Sequence, residues 1–199
     1  METSSWTTGP VRLAFVTPLV MILGAAGARA ETPLAATRPA PVTFNVRIKE
    51  PATAAAVRRA LEGASELLTD ERCRAVLSDF EDGSGRPLTE ALEATGLGLD
   101  SYLGLLFFYD GSTLPSCSNP EVMANTEAGS RVVMICGLRF FEMEIHNPFR
   151  AQVFLIHEVL HTLGLGENPP YPHQITRQVV KRCKDVPLDA DRGRVAKAE

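Results

Sequence analysis

Residues 147–173 read NPFRAQVFLIHEVLHTLGLGENPPYPH, and the fold turns on the first two-thirds of that stretch. Asn147 can cap a helix and Pro148 is tolerated at its first position, so a helix is predicted to start here. From Phe149 to Leu163 almost every residue is apolar: Ala151, Val153, Phe154, Leu155, Ile156, Val159 and Leu160 join the two ends. A helix that is apolar all round lies in the interior of its domain. Into this one the sequence sets His157, Glu158 and His161. At 3.6 residues per turn, positions 157 and 161 project from one face, one turn apart, where both imidazoles reach a single ion. Glu158 is offset by about 100° around the helix, beside the ion instead of on it, where it can take a proton from an attacking water as general base. Two histidines and a glutamate buried without partners are costly, which favours a zinc site over satisfied core residues.

Catalytic zinc usually has three protein ligands and one open position. Gly164 can adopt the positive-φ geometry that ends a helix, and Pro169-Pro170 stops the helix from resuming. The chain therefore turns sharply after Leu163 and can return a nearby side chain to the ion. His173, on a Pro-flanked loop, is one candidate third ligand. At this point HEVLHTLGLGE resembles the extended H-E-x-x-H-x-x-G-x-x-H motif of the metzincin metallopeptidases, in some of which Asp replaces the last His. His157, Glu158, His161 and Gly164 match. The resemblance implies Glu167 as third ligand, an Asp-type carboxylate with one added methylene. Three outcomes stay open: Glu167, His173, or neither. Tyr171 and His173 are also candidate donors to an oxyanion. The methionine turn of the metzincin pattern has no counterpart, since the last methionine, Met143, precedes the helix. The whole run, with GLGENPP and a late cysteine, is also similar to a group of small exported bacterial proteins classed as zinc metallopeptidases.

Around that helix the composition is ordinary for a globular protein: 199 residues, 45% hydrophobic and 22% charged, with a net charge of −4. This excludes collagen-like, coiled-coil and wholly disordered chains. The charge has the wrong sign for phosphate neutralisation, so no nucleic-acid partner is expected. Residues 1–30 have the parts of a secretory signal peptide: Arg12, a short broken apolar run from Leu13 to Ala26, and Ala28-Arg29-Ala30 at a cleavage site. Cleavage after Ala30 gives an exported protein, periplasmic or extracellular, with no remaining membrane attachment. Cys73, Cys117, Cys136 and Cys183 then read as two disulfides in an oxidising compartment. Three pairings are possible; Cys117 with Cys136 and Cys73 with Cys183 is the preferred one, the first closing a short loop between strand-like segments.

Residues 31–41 read as a flexible leader, 42–184 as one zincin-like domain, and 185–199 as a frayed tail. Strands are predicted over Val42–Ile48, Tyr102–Tyr109 and Arg131–Cys136, with Glu142–Ile145 alternating like a half-exposed strand. Helices are predicted over Pro51–Leu68, from an Asp70 cap to about Phe80, and over 88–94. Arg58-Arg59 and Lys181-Arg182 read as solvated helix faces, and the 131–136 strand as a candidate edge for a bound peptide. The fold class is α+β: a small mixed sheet packed on the HExxH helix, other helices outside, two disulfides. The expected function is hydrolysis of peptide bonds in a peptide or protein substrate, by a monomer holding one Zn²⁺ ion. The alternatives are a zinc-stabilised secreted binding module and a zinc hydrolase of a non-peptide amide.

Overall fold

A computed structural model describes residues 42–185. The expected signal segment, the leader at 31–41 and the tail beyond Asp185 lie outside the described residues. Four short strands form one mixed sheet: β1 (Asn45–Arg47), β2 (Phe107–Asp110), β3 (Ala124–Thr126) and β4 (Val132–Ile135), in the order β1-β2-β4-β3. β1, β2 and β4 run parallel and β3 antiparallel to β4, with Asn125 opposite Met134. Val46, Phe108, Val133 and Ile135 face the core. β4 is therefore an interior strand, which corrects its reading as a candidate edge; the edge on that side is β3.

Seven helices surround the sheet: α1 (Pro51–Thr69), α2 (Glu71–Arg74), α3 (Leu88–Glu93), α4 (Leu99–Leu103), α5 (Gly137–His146), α6 (Pro148–Thr162) and α7 (Pro172–Cys183). α1 begins where the Glu50 carboxylate accepts hydrogen bonds from the Ala52 and Thr53 amides. Its alanine-rich face, including Ala56, Val57, Ala60, Leu61 and Ala64, is buried against α5 and α6. Gly63 sits where α6 comes closest: a Cβ there would fall 2.2 Å from the Gln152 amide nitrogen. α6 begins as expected, with Asn147 Oδ1 accepting from the Arg150 amide at 3.0 Å and Pro148 in the first turn. Eleven of its residues, from Ala151 to Thr162, are buried. No helix among the described residues is long and apolar enough to cross a membrane.

Several element boundaries differ from expectation. The YLGLLFFY run is a strand only from Phe107; Tyr102 and Leu103 end α4 instead. A continuous apolar run carries no period that separates buried helix from buried strand. Asp70 caps α2 through the Arg72 and Cys73 amides, but the helix tightens into a 3₁₀ turn over Ala75–Asp79. The Glu142–Ile145 segment is helical, inside α5, because four alternating residues fit either period where the longer window does not. Glu144 is buried there and receives the Arg59 guanidinium, its Nε at 2.9 Å. Arg59 thus ties α1 to α5, and is no purely solvated group.

The disulfides are Cys73–Cys183 and Cys117–Cys136. The first joins α2 to the end of α7 across 110 residues. Closing a loop of that length in the unfolded chain stabilises the fold by about 5 kcal/mol. The double variant Cys73→Ala/Cys183→Ala is expected to lower Tm by roughly 10–15 °C, measured by calorimetry under non-reducing conditions. α7 has a second anchor: Asp79 accepts hydrogen bonds from Gln178 Nε2 and Arg182 Nε, each at 2.7 Å, so Arg182 is also more than a solvated charge. Burial raises the Asp79 pKa, but the hydrogen bonds from Arg182 and Gln178 outweigh it and hold the carboxyl below its ordinary 3.8. Because the folded value is depressed, this stabilisation is present above pH 3.8 and fades as pH falls through the folded value. Asp79→Asn is expected to cost about 1 kcal/mol at pH 7, with the gap from wild type closing in denaturant titrations at more acidic pH.

Candidate metal centre

The middle of α6 brings His157, Glu158 and His161 into the interior, each about 5% exposed. Helical spacing sets the two imidazoles one above the other, with their Nε2 atoms 2.9 Å apart. After Leu163 the chain reverses at Gly164, whose φ is 106° and whose Cβ position would meet Asp82 Cβ at 3.0 Å, so a side chain fits poorly there. The reversal carries Glu167 back over the helix. Its Oε1 lies 3.2 Å from His161 Nε2 and 3.7 Å from His157 Nε2. Two atoms each about 2.0–2.1 Å from a shared ion stand roughly 3.3 Å apart in a tetrahedron. The three observed separations bracket that value.

The donor chemistry fits as well. His161 Nδ1 lies 2.8 Å from the Leu165 carbonyl, which can only accept. The proton of that bond sits on Nδ1, which leaves Nε2 as the nitrogen aimed at the common point. His157 Nδ1 is held at 2.9 Å by the Thr176 hydroxyl, from α7. Burial pushes the His157 pKa down, which keeps that ring neutral. The His157 and His161 imidazoles hold the Glu167 carboxyl below its ordinary range, so it is ionised at neutral pH. Two imidazoles and one carboxylate around a single point match the N/O ligand set of the zincin signature HExxHxxGxxE.

Glu158 stands apart from that set. Burial pushes its pKa up to about 8; the nearby Thr126 hydroxyl draws it back only in part, and the Glu167 charge adds to the rise. Glu158 Oε2 and Thr126 Oγ1 are both buried without a hydrogen bond of ordinary geometry. A buried carboxylate oxygen with no partner, next to a convergent ligand set, is what a dication and a reacting water would satisfy.

His173 and Tyr171 are placed differently. Their rings stack on each other at 5.9 Å, and Tyr171 is 53% exposed. His173 lines the cleft but is outside the ligand cluster, which among the described residues comprises His157, His161 and Glu167. Three supporting groups escape sequence reasoning. Thr176 lies nineteen positions from His157 on another helix, and Thr126 comes from β3. The Leu165 carbonyl is backbone, though a glycine reversal three residues after the motif hints that a main-chain group folds back.

The cluster opens into a cleft of about 990 Å³. One wall is β3 with the preceding Asn119–Met123 segment; the other is formed by α6 and α7. Arg139 stiffens the first wall, its guanidinium bonding the carbonyls of Cys117, Asn119 and Val122. No family model, curated protein or solved structure matches this chain.

Proposed function

We propose that this chain is an exported zinc-dependent metallopeptidase that cleaves peptide bonds with Glu158 as general base. The observation that carries the reading is a three-ligand set beside a buried, unpaired Glu158 oxygen in an open cleft. Held by His157, His161 and Glu167, zinc supplies Lewis acidity that polarises a scissile carbonyl and eases ionisation of water. Everything else belongs to the chain. Glu158 takes a proton from the water as its oxygen bonds to the carbonyl carbon. It then delivers that proton to the nitrogen as the C–N bond breaks. His173, lining the same cleft, is the candidate donor to the developing oxyanion.

β3 supports a peptide over a small amide. It pairs only with β4 among the described strands, and Ala124, Asn125 and Thr126 all line the cleft. An extended peptide can add to that free edge as a further strand. A closed structural site needs four protein ligands, and the stacked His173 outside the cluster gives the binding-module reading no support. Two disulfides accord with export to an oxidising compartment. The test is a diverse peptide library incubated with zinc-loaded protein and read by mass spectrometry. New termini that vanish with a chelator are expected; zinc-loaded protein that cleaves nothing overturns the peptidase reading.

A further inference from the structure

The cleft extends well beyond the ligands, and its far part has a composition of its own. On α6, the helix face that carries His157 continues one turn back to Val153 and Phe154 and a second turn back to Phe149 and Arg150. On α7, Thr176 sits level with His157, and Arg177 and Val180 follow on the same face. Phe154 and Val180, both partly exposed, therefore floor a trough between the two helices, with Arg150 on the α6 side and Arg177 on the α7 side. Both arginines are exposed and neither has an ion-pair partner among the described residues. The Arg150 guanidinium lies 5.7 Å over the Phe154 ring, a contact that leaves its hydrogen-bond donors free. Apart from Glu158 and the ligand Glu167, the carboxylate lining the cleft among the described residues is Glu121, on the opposite wall.

We infer that this cleft selects peptides with a bulky apolar side chain beside the scissile bond and a carboxylate further along the chain. The inference rests on reading the cleft as a peptide site, and it names the substrate class. Phe154 is one turn from His157, about 5 Å, and Arg150 is seven residues away, about 10 Å. An extended peptide advances about 3.3 Å per residue. An apolar side chain adjacent to the reacting carbonyl thus reaches the trough, and an Asp or Glu about three residues from it reaches Arg150, while Arg177, one residue past Thr176, adds positive charge nearer the reacting end. Guanidinium groups bind carboxylates with two parallel hydrogen bonds, and a basic side chain at that position meets the like charge of Arg150, with Arg177 adding to the positive field.

The test uses zinc-loaded Glu158→Gln protein, which keeps the cleft without turnover, and Gly/Ser peptides carrying a neutral dye. One peptide has a central Leu with Asp three residues away on both sides, which removes any dependence on chain direction. A second has Lys for each Asp, and a third has Ala for Leu. Fluorescence anisotropy is expected to show the Asp peptide binding about tenfold tighter than the Lys peptide. Adding Arg150→Ala/Arg177→Ala collapses that gap, Arg150→Lys/Arg177→Lys retains much of it, and Phe154→Ala brings the Leu peptide down to the Ala peptide. Equal binding of the Asp and Lys peptides, or an undiminished gap after both arginines become alanine, overturns the inference. Library cleavage by wild type without acidic preference sinks this inference alone. Selective Asp-peptide binding without any cleavage upholds it and sinks the peptidase reading.

Discussion

Glu158→Gln is expected to lower turnover by the zinc-loaded protein by about 10²–10⁴-fold, with zinc content unchanged. The amide keeps the shape of the side chain but cannot take up a proton in the step where water attacks. The same substitution acts on stability in the opposite direction. In metal-free protein the folded pKa of Glu158 is raised from 4.5 to about 8, so ionising it costs more in the folded than in the unfolded chain. Stability of the chelated wild type therefore declines as pH rises from 4.5 towards 8. Glu158→Gln removes that slope, because a neutral amide pays no charge-burial penalty. Loss of turnover together with a flatter stability–pH curve separates a missing base from a damaged fold.

His161→Ala carries the second large effect. Removing one of three ligands is expected to weaken zinc binding on the order of a thousandfold, beyond the 10–100-fold typical of a supporting residue. Thr176→Val, which removes the hydroxyl holding His157 Nδ1, belongs to that smaller range. Competition against a chromogenic chelator measures both. Near-stoichiometric zinc in His161→Ala at ordinary affinity would dissolve the site. Zinc at a hundred times its Kd also stabilises wild type by about 2.7 kcal/mol, and this increment should vanish in His161→Ala. Because each readout is binding, it is independent of whether a substrate is found.

The metal site was the most legible part of the chain because it obeys helical spacing. His157 and His161 are fixed relative to each other by 3.6 residues per turn; Gly164 signals a reversal, while the choice of Glu167 over His173 rests in the sequence on the metzincin resemblance alone. The support for that site was not legible. Thr176 and Thr126 arrive from α7 and β3 by tertiary packing, with no local pattern to mark them. The same division runs through the fold. Asn147 and Asp70 announce helix starts by hydrogen bonds within three residues, and both caps form. The division of YLGLLFFY between α4 and β2, and the helix over Glu142–Ile145, are decided by burial: Tyr102 on Thr162, Glu144 on Arg59. Arg59 and Arg182 read alone as solvated charges; only their partners Glu144 and Asp79, more than 80 residues away, turn them into ties between elements.

The central claim is that one ion is held by His157, His161 and Glu167 with a position left open next to Glu158. Anomalous diffraction at the zinc edge, from crystals of zinc-loaded protein, tests it most directly. The expected result is a single peak about 2.0–2.2 Å from His157 Nε2, His161 Nε2 and a Glu167 carboxylate oxygen, with no fourth protein ligand. A peak elsewhere, or one at this point ligated by His173 in place of Glu167 or closed by a fourth side chain, would contradict it.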